Sequence, residues 1–333
     1  MTVNQNLKQD VRFSPRRLGH GNLFVGELER SAQFYNKVCG LREVYREPPI
    51  HAAFLSTGTS HHDIALMQVS ELARVGRQGH IQVPQGRGEI PGLNHLAWEM
   101  ENEALLVEAY SRAKAAKIHI NRTADHQVSH SVYLFDPDGN LHEFYSDAAD
   151  DWKTIFRPDT TELVTGPWNP GGTPPSTKPK YVAQPEALTV PEAIFHPKSI
   201  GHCAISTMNF EAMLEFSVEV AGLTVSHLDE KKTFAVLHGT TTTQDLVLLR
   251  NSGNSPVGLH HIGFKLENEE QLVSGINRLK TEGYDIGMEI DRPSLKSVFI
   301  TDPDGITVEF YIENPSTALN LNDVEIQCGT YLV

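Results

Sequence analysis

Six residues of this 333-residue chain have types and spacings that suit the holding of metal ions. His20, His95 and Glu143 form a first set, and His202, His261 and Glu309 a second. His95 precedes Glu143 by 48 residues, and His261 precedes Glu309 by the same 48. Each Glu stands directly before a Phe-Tyr pair, a repetition for which core packing alone gives no reason. Two imidazoles and one carboxylate on one side of a metal ion leave its other positions open. That is the ligand set of non-haem Fe(II) oxygenases, in which an organic substrate and O₂ both reach the ion.

The residues recur because the chain repeats. FDPDGNLHEFY at 135–145 matches TDPDGITVEFY at 301–311, and GLNHLAWEM at 92–100 matches GLHHIGFKL at 258–266, both at an offset of 166. At an offset of 182, LGHGNLFV at 18–25 matches IGHCAIST at 200–207, FYNKVCGL matches FSVEVAGL, and HHDIALM at 61–67 matches TQDLVLL. Such self-similarity marks a duplication, with an N-terminal metal-binding module over 15–148 and a second module over 198–314. Each module divides again. The first unit is predicted as a strand over 17–25, a helix over 27–39 and strands over 42–47, 52–56 and 62–68, with Gly40 suited to the helix C-cap. The second is predicted as a strand over 93–100, a helix over 102–116 and strands over 118–120, 131–135 and 140–146, with a DPDG turn before the last. Four βαβββ units argue for an α+β fold with curved mixed sheets. A single inward residue on each strand then lets His20, His95 and Glu143 converge, because side chains alternate across a strand. By the same alternation His61 is expected to face away from His62, and His142 to face away from Glu143, at the surface.

Residues 149–197 carry nine of the nineteen prolines and read as a linker packed on the module surfaces. Residues 315–333 form a C-terminal tail. The composition, 39% hydrophobic and 21% charged, is that of an ordinary soluble protein. A net charge of −14 argues against nucleic acid as a partner. No apolar run is long enough to span a bilayer, and the N-terminus has no signal-peptide pattern. Cys39, Cys203 and Cys328 are far apart, form no CxxC and read as free thiols in a reducing compartment, so a cytoplasmic location is expected.

DHQVSHSVYLFDPDGNLHEFYSD at 125–147 and HHDIAL at 61–66 resemble the vicinal oxygen chelate superfamily. Within it they resemble the extradiol ring-cleavage dioxygenases of the catechol 2,3-dioxygenase type. The resemblance covers both modules and implies a fold of four βαβββ units paired into two modules. It implies His20, His95 and Glu143 as ligands of Fe(II), or alternatively Mn(II). It implies His62 as an acid–base residue, Tyr133 as a hydroxyl hydrogen-bonding the substrate oxygen, and His126 as a further donor. His126 lies seven residues before Tyr133, where many ring-cleaving relatives place this His nine residues before; many also carry the metal in the second module. The implied reaction opens the ring of a catechol-like or hydroquinone-like aromatic with O₂, and relatives of this type are often homo-oligomers.

The chemistry agrees with those roles. A catechol loses protons on chelating a metal, an imidazole can accept and return one, and a phenol can steady an oxygen of changing charge. The second module keeps its ligand types but has Gln244, Arg292 and Phe299 where the first has His62, His126 and Tyr133. It is therefore expected to be structural. Two alternatives share the fold: a non-oxidative glyoxalase-like enzyme, which typically uses two carboxylates, and a protein that only binds a small aromatic molecule. Substrate selectivity is expected from loops near 47–60 and 68–92 and from the proline-rich linker.

Overall fold

The computed structural model describes residues 10–76, 79–157, 165–253, 256–293 and 295–313. The expected C-terminal tail at 315–333, with Cys328, lies outside them. In the first module the strands are β1 (Arg17–Val25), β2 (Arg42–Glu47), β3 (Ala52–Ser56), β4 (Ile64–Gln68), β5 (Arg74–Val75), β6 (Ile81–Val83), β7 (Gly92–Glu99), β8 (Arg122–Asp125), β9 (Ser129–Phe135) and β10 (Leu141–Asp147). The helices are α1 (Leu28–Lys37) and α2 (Glu103–Ala115). The second module has β11 (Ser199–Thr207), α3 (Phe210–Glu219), β12 (Thr224–Leu228), β13 (Phe234–His238), β14 (Leu246–Arg250), β15 (Gly258–Lys265), α4 (Glu269–Glu282), β16 (Met288–Asp291), β17 (Leu295–Thr301) and β18 (Thr307–Glu313).

Each module is one eight-stranded mixed sheet. The first runs β2-β3-β4-β1-β7-β10-β9-β8 and the second β12-β13-β14-β11-β15-β18-β17-β16. Four βαβββ units are thus joined in pairs, each pair through an antiparallel seam between its two first strands, β1 with β7 and β11 with β15. The alternation that predicts the strands also divides their faces. On β3 and β4, Ala53, Leu55, Ile64 and Leu66 enter the large core, while Ala52 and Met67 belong to a separate cluster on the opposite face. Helices are placed by their ends: Asn102 and Asn268 cap α2 and α4, each accepting a hydrogen bond of 3.0 Å from the backbone N–H three residues on.

The two modules trade contacts reciprocally. The Leu18 N–H donates to Asp245 Oδ1 at 2.9 Å, and the equivalent Ile200 N–H donates to Asp63 Oδ1 at 3.0 Å. Phe13 donates its N–H to Val220 O, while its ring stacks on Phe144 at 4.1 Å. Phe195 repeats this with Val38 O and Phe310, at 3.9 Å. The linker is therefore more than a surface strap: Phe195 at its end is core, and Trp152 and Phe156 are buried with Val44, Tyr45 and Val128. Other expectations are corrected too. The strand expected at 118–120 is β8, at Arg122–Asp125, and a hairpin of β5 and β6 stands where only a loop was expected. His142 is not at the surface. It is buried, accepts from Trp98 Nε1 at 2.9 Å and lies 3.1 Å from Asp136 Oδ2, because the face turned away from Glu143 packs against Phe216 of the second module. Cys39 and Cys203 are buried free thiols. No helix among the described residues is long and apolar enough to cross a membrane.

One glycine decides how β1 reaches the site. The β1–β7 register slips between Leu18 and His20, and a Cβ on Gly19 would lie 2.2 Å from the Tyr145 hydroxyl and 2.7 Å from its ring. Tyr145 is fully buried and has nowhere to move. Gly19→Ala is therefore expected to cost about 1–3 kcal/mol by overpacking, read by urea unfolding. Tyr145→Phe in the same chain, by removing the closest atom, should return part of the loss. Unchanged stability in Gly19→Ala would mean that this contact does not constrain β1.

Candidate metal centre

His20, His95 and Glu143 come from β1, β7 and β10, three adjacent strands at the middle of the first sheet. Pairing brings them level: His95 is opposite Leu141 on β10, and Glu143 is opposite Ala97 on β7 and Tyr133 on β9. Glu143 Oε2 lies 3.0 Å from His95 Nε2 and 3.3 Å from His20 Nε2. Ligands about 2.0–2.2 Å from a metal in tetrahedral or octahedral array sit about 2.8–3.6 Å apart, so the separations suit a divalent ion. The other carboxylate oxygen, Oε1, accepts from Ser131 Oγ at 2.6 Å, which fixes the plane of the carboxylate and leaves Oε2 facing the imidazoles.

Electrostatics favour the same ligand states. Burial would raise the Glu143 carboxyl, but His20 and His95 outweigh it and hold it well below the usual carboxylate range. Burial pushes His95 down to about 4 despite its hydrogen bond to Glu143, so its imidazole is neutral at physiological pH and has a lone pair to give. A buried anion is costly without a cation beside it. The donor set therefore fits a metal of the Fe(II), Mn(II) or Zn(II) kind.

The three other expected residues surround the same cavity. His62 lies tilted against His20, with ring centroids 3.9 Å apart. Tyr133 is buried edge-on to His95 at 5.7 Å, and its hydroxyl is 2.8 Å from His126 Nε2. His126 sits in the β8–β9 turn, where Gln127 takes the left-handed conformation at φ 65°, and this folds the shorter spacing back onto Tyr133. Burial pushes the Tyr133 phenol well above its ordinary range, with the Glu143 charge adding to it, so the hydroxyl keeps its proton. Burial lowers His62 well below 6.5 and His126 to about 4.

His61 contradicts its expected placement. The sheet strand starts only at Ile64, so alternation does not govern the preceding turn, and both histidines face the cavity. His61 Nδ1 is 2.7 Å from His62 Nδ1, which leaves Nε2 as the nitrogen of His62 free for a substrate. Asp147 Oδ1 stands 3.5 Å from His61 Nε2, without a hydrogen bond. Sequence reasoning also missed Ser131, whose signal was its place two residues before Tyr133 on the same face. The cavity, about 660 Å³ including its mouth, is walled by Phe54, Ile50 and Met67 of the first unit. Val83 of the unforeseen hairpin and Phe156 of the linker complete the apolar wall. All three segments expected to set selectivity thus reach it.

The family model described as the Glyoxalase/Bleomycin resistance protein/Dioxygenase superfamily matches residues 17–144 and 199–310. The chain belongs to this superfamily. Biphenyl-2,3-diol 1,2-dioxygenase 3 of Rhodococcus globerulus is 30% identical over 131 residues, 39% of this chain and 63% of that protein, so less than two thirds of the relative is spanned. A Mn(II)-bound glyoxalase from Novosphingobium aromaticivorans superposes with a TM-score of 0.63 at 17% identity, over 90% of this chain and 83% of that one. A 2,3-dioxygenase from a Pseudomonas species superposes with a TM-score of 0.62 at 17% identity, over 92% and 96%. Those two likenesses establish the superfamily fold.

The neutral histidines make stability depend on pH. His61, His62, His95 and His126 have folded pKa values depressed below the unfolded value near 6.5. Their contribution is present above about pH 6.5 and is lost as pH falls through the folded values, because the unfolded chain takes up protons first. In chelator-treated protein, unfolding free energy should fall between pH 6.5 and 4.5 by at least about 1.4 kcal/mol per pH unit. A urea series across that range checks it; a flat profile would mean that these rings are already solvated.

Proposed function

We propose that the first module is an extradiol dioxygenase that opens the ring of a catechol-like or hydroquinone-like aromatic with O₂. In this reading Fe(II), or alternatively Mn(II), is held by His20, His95 and Glu143. The observation that carries it is the meeting, in one aromatic-walled cavity, of a two-His, one-carboxylate triad with His62, His126 and Tyr133. The similarity to a biphenyl-diol dioxygenase supports the same class.

The metal, when bound, lowers the pKa of a chelating hydroxyl and brings the ring and O₂ together. The protein's own groups do the rest. Phe54 and Phe156 offer flat apolar surface to an aromatic ring and exclude water. His62, neutral and with Nδ1 engaged by His61, can take a proton at Nε2 from the second hydroxyl and later return it. His61 holds the His62 ring by its Nδ1. Tyr133 keeps its proton and donates to the substrate oxygen beside the metal, and His126, 2.8 Å from that hydroxyl, orients it. Both atoms of O₂ enter the ring-opened product, so no outside reductant is required. A glyoxalase-like site typically pairs two carboxylates, and the triad here has one, Glu143.

The test begins with anaerobic purification and metal analysis, then a panel of catechols and hydroquinones monitored for a yellow product and O₂ uptake. Glu143→Ala should lose its iron by at least the roughly 10–100-fold typical of outer-shell changes; wild-type occupancy at this site would refute the ligand assignment. His62→Asn should lower kcat by about 10²–10⁴-fold with iron content unchanged. Tyr133→Phe should cost less, in line with one hydrogen bond to a charged partner worth roughly 1.5–3 kcal/mol. Turnover without O₂ would point to the glyoxalase-like chemistry instead. Wild-type rates in both variants would remove the assigned roles even with the metal in place.

A further inference from the structure

The second module repeats the ligands without the pocket chemistry, and the geometry of those ligands is as tight as in the first. His202 Nε2 is 3.2 Å from His261 Nε2 and 3.1 Å from Glu309 Oε2, and His261 Nε2 is 3.5 Å from the same oxygen. All three pairwise separations lie within the roughly 2.8–3.6 Å edges of a coordination polyhedron with bonds of about 2.0–2.2 Å. The three side chains are each more than nine-tenths buried. A proton serves at most part of this arrangement. With one ring N–H directed at Glu309, the other ring's lone pair still faces the carboxylate oxygen, and with two the N–H groups face each other, whereas one cation accepts all three lone pairs.

The backbone makes room for this cluster by its own device. A Cβ at Gly263 would lie 2.4–2.8 Å from the His202 ring, so the glycine lets the imidazole lie against β15. The first module has Ala97 at that place, so the cradle under His202 is particular to the second. Around the ligands, the three groups expected to act on a substrate in the first module are replaced, while His260 Nδ1 stands 2.8 Å from His261 Nδ1. Phe299 stands edge-on to His261 at 5.4 Å where the first module has Tyr133. Gln244 replaces His62, and Arg292, the counterpart of His126, is exposed. On the ligand face of the sheet, Ala204, Phe234, Val236, Val247 and Leu249 bury one another in a cluster of their own. Ala204 is the β-ladder partner of His261, which puts that apolar cluster beside the ligands.

We propose that the C-terminal module binds a second divalent transition-metal ion through His202, His261 and Glu309. The ion cross-links β11, β15 and β18 and takes no part in ring chemistry. Nitrogen and carboxylate donors select the Fe(II), Mn(II) and Zn(II) group over Mg(II) or Ca(II). The inference concerns metal content, so it stands or falls separately from the reaction assigned to the first module.

The full-length protein, stripped by a chelator and reloaded with Zn(II) alone, is desalted and its tightly held zinc counted per chain. Two ions are expected in the wild type, one in Glu143→Ala, one in His261→Ala and none when both changes are combined. Should His261→Ala fold poorly, Glu309→Gln, nearly identical in shape, serves in the same count and is expected to hold one. In the Glu143→Ala chain, zinc should raise the melting temperature by several degrees, and addition of Glu309→Gln should abolish that rise. One ion in the wild type with none in Glu143→Ala overturns the proposal. So does a count of two in well-folded His261→Ala or Glu309→Gln. Ring-opening turnover per first-module iron should be the same in Glu309→Gln as in the wild type; a loss there with module-one iron intact would overturn the claim that the second ion is purely structural.

Discussion

The carboxylate of Asp63 holds the arrangement together. It is fully buried and accepts from the Thr57 N–H at 2.8 Å, Thr57 Oγ1 and Thr59 Oγ1 at 3.0 Å each, and the Ile200 N–H at 3.0 Å across the module boundary. A buried carboxylate is tolerable only with this density of donors. In gathering them it closes the 57–63 turn and docks it on the other module. His61 and His62 immediately precede Asp63, so the two rings over the metal cavity are set by a bond to the second module. Asp245 performs the reciprocal task, accepting from Gly239 and from Leu18, two residues before His20. Each module thus fixes the entry to the other's ligand strand, which gives the second module a physical reason to persist whatever it binds.

Charge sets the next constraint. Glu143 brings a buried negative charge among imidazoles, and two arginines of the first module are engaged elsewhere: Arg17 pairs with Glu99, and Arg122 lies over the Tyr133 ring at 4.3 Å. A site of this kind is preorganised for a cation, and the energy lost by leaving it without one is what gives a metal its grip.

Much of this was legible in the sequence because the relevant periods are short. The duplication, the order of elements along the chain and the convergence of His20, His95 and Glu143 follow from repeats and from alternation within strands, where the backbone leaves side chains no choice of face. Legibility ended where the chain leaves the strands. His61 was assigned to the wrong face because its turn, held by Asp63, does not alternate. His142 was assigned to solvent because alternation gives a face but not what covers it, and Phe216 of the other module covers that one. Phe156 and Val83 lie in segments whose composition signals only turns and prolines, and their entry into the cavity depends on long-range packing against Tyr45 and Phe24.

The asymmetry between the modules is therefore a matter of few side chains on a common frame. The two sheets share strand order, seam, bulge and ligand types, and Gly19 and Gly201 meet Tyr145 and Tyr311 in the same way. What separates them is the covering. In the first module the β5–β6 hairpin and the linker lean over the ligand face and build a pocket with a mouth. In the second, only residues 251–257 join β14 to β15, too few for such a hairpin. There Phe234 stands where the first module has Ala52, on the ligand face of the sheet. A rigid duplicated scaffold supplies the ligand geometry twice, and the irregular segments laid over it decide where a substrate can enter. The hydroxyl of Tyr133 and the nitrogens of His62 and His126 line the first cavity, whereas Phe299, Gln244 and Arg292 hold the equivalent places in the second module.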